Sequence, residues 1–282
     1  MNREDSDLDD LEIIPAKLDF VFKRLFGEKR NIRCLIGFLK AVIDLPEEDY
    51  KTLTFGETSL NPSRVGGKRF VLDIKLETAS GKSVEIEIQL ADTSEMRERI
   101  VAYESRLVSD QLDAGEDYKS LKKSISILIT DFPLLRESEA YHHKFAVRNE
   151  GASIVLADIF EIHTLELKKL PIAEDGTKVW RWLRLLAATK KEELEMLQQQ
   201  YPELEEPIVI LKELSADEAL REEMRAYRKA LRDEASRIWH ARKEGKAEGK
   251  AEVARSMLQR QMPVDVIAEL TGLSLDEIKK YA

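Results

Sequence analysis

Asp73, Glu87 and Gln89 are the residues of this chain whose types and spacing best suit chemistry. Val84-Glu85-Ile86-Glu87-Ile88-Gln89-Leu90 alternates apolar and polar side chains, the period of a strand with one face in a core and the other in water or a cleft. Glu85, Glu87 and Gln89 share the polar face. Glu is a poor strand former and two carboxylates on one face repel, so a divalent cation would offset the repulsion. Residues 70–76 read as a preceding strand with Asp73 and Lys75 on its polar face. The turn-rich link 77–82 is short enough for a hairpin, which would bring Asp73 beside Glu87. Mg²⁺ is commonly held by one or two carboxylates, water and substrate phosphate. Such an ion lowers the pKa of a bound water and stabilises charge building on a phosphate. The chemistry these residues could do is metal-assisted phosphodiester hydrolysis. Pattern alone also fits a solvated amphipathic hairpin, because acids on a polar strand face are common.

The elements that must position these residues follow from periodicity. Leu18, Val21, Phe22, Leu25 and Phe26 form one buried helical stripe, with Asp19 and Lys23 one turn apart on another face and Gly27 as C-cap. A second helix is predicted over 31–43, ended by Leu45-Pro46. Residues 50–62 read as irregular or weakly stranded, and Pro62, Gly66 and Gly67 mark a turn. After the Glu87 strand, Asp92 and Glu95 have capping-box spacing, predicting a helix over 94–114 closed by Gly115. That helix carries a polar stripe of Arg99, Tyr103, Arg106 and Asp110. Ser124-Ile-Ser-Ile-Leu-Ile-Thr130 is dense enough in apolar residues for a central strand. Residues 141–149, 154–160 and 161–167 read as further strands, the last two near the sheet edge. This order predicts an α/β fold, a mixed sheet with flanking helices. Residues 171–176 form a linker, and 177–282 read almost entirely as helix. The chain ends in two short helices around Thr271-Gly272-Leu273-Ser274, like half of a helix-turn-helix.

The length of 282 residues suits one large domain or two modest ones. With 35% charged residues, many helices must be exposed, and no apolar run is long enough to span a bilayer. Residues 1–11 are acidic, the opposite of a targeting peptide, and are expected to be a disordered tail, so the cytoplasm is the expected location. Cys34, the one cysteine, cannot form an intramolecular disulfide and reads as a buried thiol. The net charge of −9 argues against a coat for nucleic acid. Residues 221–255 nevertheless hold eleven Lys/Arg against seven Asp/Glu, which suits a solvated, dimerising or phosphate-contacting helix. A homodimer through the helical C-terminal region is expected, since 179–260 has more amphipathic stripe than one small domain needs.

Helix, Asp73 strand, turn, Glu87-x-Gln89 strand and helix together resemble the PD-(D/E)xK nuclease core. More closely, the chain resembles the bacterial PD-(D/E)xK family of transposase-like, recombination-promoting nucleases. The resemblance rests on Leu18-Asp-Phe-Val-Phe-Lys-Arg-Leu-Phe-Gly27, Leu72-Asp-Ile-Lys75, the 84–90 strand, Tyr103-Glu-Ser-Arg106, Gln111-Leu-Asp-Ala-Gly-Glu-Asp-Tyr118, Leu165-Glu-Leu-Lys-Lys169 and the Lys-Ala-Glu-Gly tail. It covers nearly the whole chain. It implies a nuclease domain over 12–170, a helical region over 177–282, and a Mg²⁺- or Mn²⁺-dependent DNA endonuclease acting in recombination or mobile elements. Asp73 and Glu87 would be the metal ligands, and Gln89 would complete the catalytic set where many relatives have Lys. Gln89 can orient water or ligate through its carbonyl oxygen. Lys75 would either supply the missing charge or lie on the surface. Asp19 would either approach the metal or pair with Lys23. Tyr103 and Arg106 would face DNA phosphate or brace the acids, unless Arg106 pairs with Asp110. The second reading, favoured by Gln89 and the net charge, is a weakened nuclease fold that binds DNA or protein.

Overall fold

The computed structural model describes residues 13–60, 70–149, 151 and 154–281. The acidic tail and the turn expected at Pro62, Gly66 and Gly67 lie outside them. The chain divides into two units, Met1–Asp217 and Glu218–Ala282.

The first unit opens with α1 (Asp19–Phe26), α2 (Ile32–Val42) and α3 (Glu47–Lys51). Short strands β1 (Thr54–Phe55), β2 (Ser59–Leu60) and β3 (Phe70–Val71) follow, then β4 (Ile74–Glu77), β5 (Ser83–Gln89) and α4 (Met96–Ser109). Next come β6 (Ser124–Thr130), β7 (His142–Ala146) and β8 (Phe160–Glu166). Helices α5 (Lys178–Ala187), α6 (Lys191–Gln200) and α7 (Glu205–Ala216) complete it. The main sheet is mixed, in the order β1-β4-β5-β6-β8-β7, while β2 and β3 pair separately. β4 and β5 form the expected antiparallel hairpin, with Ile74 opposite Ile86 and Leu76 opposite Val84. β5, β6 and β8 run parallel at the centre.

The structure departs from the expectations at several points. The strand over 70–76 is interrupted at Leu72 and Asp73: β3 pairs with β2, and only from Ile74 does the chain join the main sheet. The polar face of β5 is not solvated, because α4 lies over it and Glu85 and Glu87 are 0% and 2% exposed. β8 lies next to the edge of the sheet, as expected, and β7 is the edge strand, with its side chains half-buried or exposed. Residues 154–160 hold only an isolated bridge, Val155 with Arg148, ahead of β8. At α4, Asp92 accepts the Ser94 N–H at 2.8 Å in a local turn, so the helix starts at Met96 without a capping box. It ends at Ser109, well before Gly115.

The core explains why the unit extends past the linker at 171–176. Phe22, Phe26 and Phe38 pack with Trp182 of α5, with the Phe26 and Phe38 rings each 6.1 Å from it. Gly37 makes room for the Trp182 indole: a Cβ there would sit 2.7 Å from Cζ2. At the far end of α7, Ser215 Oγ accepts the Ile14 N–H at 3.0 Å. The strand residues Val84, Ile86, Ile125, Ile127 and Ile129 are fully buried on the apolar face of the sheet. On the other face, Met96 and Ile100 of α4 pack on Leu128 and Ile162.

The second unit is α8 (Glu218–Gln259), α9 (Val264–Thr271) and α10 (Leu275–Lys279). Ala254, Ile267 and Ile278 form its small core. Gly272 takes φ 64°, the left-handed conformation that ends α9. Ser274 caps α10 through the Glu277 N–H, and Glu277 returns the bond to Ser274, a capping box. The two short helices expected around Thr271–Ser274 are thus present. Among the described residues, no helix is long and apolar enough to cross a membrane.

Removing Trp182 empties a fully enclosed aromatic site. Trp182→Ala should cost about 3–5 kcal/mol in urea unfolding, and a chain ending at Gly176 should lose its cooperative melt. A truncated chain that melts as sharply as the full one would show that α5 to α7 are not needed to complete the core.

Candidate active site

The break at Leu72–Asp73 sets the geometry. Because Asp73 sits in a bend and not in the ladder, its carboxylate turns back onto β5, where Oδ2 accepts the Ile88 N–H at 3.0 Å. A side chain thus does there what a ladder carbonyl would do. Its other oxygen, Oδ1, lies 3.0 Å from Lys23 Nζ of α1. Lys23 also pairs with Asp19 Oδ1 at 2.8 Å, one turn back on the same helix.

Glu87 is the neighbouring acid. Its Oε1 accepts from Arg99 Nη2 at 2.6 Å and from Gln89 Nε2 at 2.7 Å. Its Oε2 is buried with no hydrogen-bond partner. Arg99 comes from the first turn of α4 and is itself held, with Nε donating to Tyr103 Oη at 2.9 Å and the guanidinium 5.0 Å from the Tyr103 ring centre. Since a carboxylate oxygen bonded by two donors is an acceptor, the Gln89 amide must point its NH₂ inward and its carbonyl oxygen away from Glu87. Desolvation raises the Glu87 pKa, the charge of Arg99 opposes this, and Asp73 adds to the rise.

A second pair of acids lies behind the first. Ser126 Oγ of β6 is 3.0 Å from Glu85 Oε2 and 2.6 Å from Glu104 Oε2 of α4. One hydroxyl proton cannot serve both, so at least one carboxyl must carry its own. Burial pushes Glu85 to about 8, with the charge of Glu87 adding to it, and burial pushes Glu104 to about 7, with serine hydrogen bonds opposing the rise and the charge of Glu161 adding to it. The remaining oxygens, Glu85 Oε1 and Glu104 Oε1, have no partner.

The structure brings Asp73, Glu87 and Gln89 together, with Asp19 reaching the group through Lys23 and Tyr103 through Arg99. Lys75 instead lies along its own strand, 3.1 Å from Glu77 Oε1. Arg106 Nε donates to Asp110 Oδ2 at 2.6 Å, the intrahelical pair. Lys23, Arg99, Glu104 and Ser126 acquire places that sequence reasoning did not give them. The spacing of four from Asp19 to Lys23 and from Arg99 to Tyr103 was visible, but it identifies helix neighbours and not the tertiary target. Glu104 lies within the Tyr103-Glu-Ser-Arg106 stretch but drew no role of its own, as a glutamate inside a charged helix looks solvated.

Two carboxylates and an outward amide oxygen suit a hard cation of the Mg²⁺ type, which completes its shell with water and substrate. The orphaned Glu87 Oε2 is the observation that fits such an ion. Among the described residues, no group of three or more His, Cys, Asp or Glu side chains could hold a metal by itself.

Residues 16–241 match the model of the PD-(D/E)XK nuclease family transposase. Residues 247–282 match the Rpn/YhgA-like nuclease family C-terminal HTH domain. No curated protein and no solved structure matches the chain.

The raised pair makes a pH signature. An acid whose folded pKa lies above its ordinary 4.5 binds more protons when folded, so stability is greatest below that value and falls as pH rises through the folded pKa. Thermal melts should therefore decline from about pH 5 to 8, by up to about 1.4 kcal/mol per pH unit per proton. Glu104→Gln, which stays neutral and can donate to Ser126, should flatten the decline; equal slopes would mean Glu104 keeps no proton at neutral pH.

Proposed function

This chain belongs to the PD-(D/E)XK nuclease family transposases, and on that footing we propose that it is a Mg²⁺- or Mn²⁺-dependent DNA endonuclease. The single observation that carries the reading is that Asp73 is tied to the Glu87 strand at Ile88, close enough for its charge to act on Glu87, whose buried Oε2 has no hydrogen-bond partner. A bound divalent ion would lower the pKa of a water and offset charge on the scissile phosphate. Asp73 and Glu87 would hold it, each from a fixed backbone position. Arg99 and Tyr103 keep the Glu87 carboxylate from rotating. Gln89 turns its carbonyl oxygen outward, where it can orient a water. The HTH domain supports DNA as the partner, and α8 carries much of the basic run that could track phosphates. Recombination or mobile-element DNA is the setting that the transposase family suggests.

The test is plasmid nicking with Mg²⁺, Mn²⁺, Ca²⁺ or EDTA, beside thermal melts with and without Mn²⁺. Metal at a hundred times its Kd should stabilise the wild type by about 2.7 kcal/mol. Asp73→Asn and Glu87→Gln should each abolish nicking and the metal-dependent shift. A metal shift untouched by Asp73→Asn would refute the assignment. The alternative, a weakened nuclease fold acting as a DNA- or protein-binding module, is favoured by neutral Gln89. It predicts DNA binding with no metal-dependent nicking.

We also propose self-association through α8. This helix runs 42 residues, and Leu231, Ile238 and Trp239 are 44%, 61% and 58% exposed. Leu231 and Ile238 are one heptad apart, the spacing of a coiled-coil seam. Light scattering at micromolar concentration should give twice the chain mass of 32.4 kDa. Leu231→Glu with Ile238→Glu should return it to one, and a wild-type monomer would remove the idea.

A further inference from the structure

The site has a charge problem that position 89 does not solve. In Gln89 the chain has a neutral amide, and Lys75 is engaged with Glu77. Among the described residues, two cations touch the acid pair: Arg99 on Glu87 and Lys23 on Asp73. They are not equivalent. Arg99 is locked by Tyr103 at its Nε and across its face, and its partner Glu87 is 2% exposed. Lys23 is a single ammonium on a flexible stem, with its side chain 42% exposed. It has two carboxylates within reach, Asp73 at 3.0 Å and Asp19 at 2.8 Å. Asp19 is 53% exposed and Asp73 14%, so one partner faces solvent and the other faces the site. The helix below it is fixed, since Val21, Phe22, Leu25 and Phe26 are all fully buried.

We propose that Lys23 is the mobile cation of this site: it neutralises Asp73 in the free protein and transfers to the substrate phosphate when a metal claims Asp73. The inference rests on the nuclease reading. Lys23 keeps Asp19 as an ion partner throughout, so leaving Asp73 does not strand the ammonium. In the free protein its charge relieves the repulsion between Asp73 and Glu87. With DNA bound it supplies, from α1, the positive charge that β5 lacks at position 89. A consequence is that Lys23 competes with metal for Asp73 Oδ1, so metal affinity and rate should move in opposite directions when it is removed. A lysine that only braced α1 would move neither.

The experiment uses the full chain, with MnCl₂ calorimetry and supercoiled-plasmid nicking on wild type, Lys23→Met, Lys23→Arg and Lys23→Met with Gln89→Lys. The expected result is tighter Mn²⁺ binding by Lys23→Met together with nicking slower by about 10²–10³-fold, the usual loss on removing one charge-stabilising donor. Lys23→Arg should keep part of the rate, and the double variant should regain part of it from β5. Metal-free melts check folding, and Lys23→Gln replaces Lys23→Met should the latter not fold. Unchanged or weaker Mn²⁺ binding, or an unchanged rate, would overturn the role of Lys23 while leaving the nuclease reading intact. A wild type with neither Mn²⁺ heat nor nicking would sink the nuclease reading, and the proposal with it.

Discussion

Carboxylates enclosed between a sheet and a helix are the constraint on which this molecule turns. Glu85 and Glu87 project from the middle strand of the sheet into the space under α4. Burying an ionised carboxylate without partners costs several kcal/mol, so each must be paired, hydrogen-bonded or protonated. The two acids take different routes. Glu87 meets a guanidinium and an amide and keeps one oxygen open. Glu85 meets a hydroxyl and another acid, and burial shifts both toward their protonated forms. Burial raises all three carboxyls, but only Glu87 has a guanidinium opposing the rise; such perturbed acids cluster where sites do acid, base or metal chemistry.

Backbone irregularity serves the same end. A regular strand through 70–76 would have left the Asp73 carboxylate on a sheet face. The bend at Asp73 sends it to the Ile88 N–H, which ties the hairpin together and aims the free oxygen at α1. Sheets interrupt their ladders in this way next to functional side chains. The result is a site assembled from α1, the β4 end, β5 and α4. Each contributing element is anchored by apolar side chains on its other face, so the polar groups hold position without a surrounding cage.

The helices after the sheet do two separate jobs. α5 to α7 belong to the first unit: Trp182 fills the hollow over Gly37 and joins the phenylalanines of α1 and α2. They therefore stabilise the helix that carries Lys23. From Glu218 onward the chain forms its own small unit, with α9 and α10 packed on the end of α8. The linker composition at 171–176 marks a change of secondary structure, whereas the compact unit closes only after α7.

Periodicity determined the elements and their faces. The stripe of α1, the hairpin of β4 and β5, the central place of β6 and the terminal helix pair were all legible, because apolar spacing is a local property of the chain. The order of elements, together with stretches such as Leu18–Gly27 and Gln111–Tyr118, was enough to identify the family, and the D…ExQ pattern made Asp73, Glu87 and Gln89 the candidates. Three things were decided only in three dimensions. Alternation cannot say whether a polar strand face meets water or a second layer, and here α4 turned a solvated face into a buried one. Spacing of four residues cannot say what lies opposite, so Lys23, Arg99 and Glu104 looked like helix-surface charges until the fold set them on Asp73, Glu87 and Ser126. The extent of the first unit rests on Trp182 meeting Gly37 across 145 positions of sequence, and such a contact leaves no trace in either local stretch. The sequence carries the types and periods of its residues; which charges must share a buried volume is a property of the packed chain.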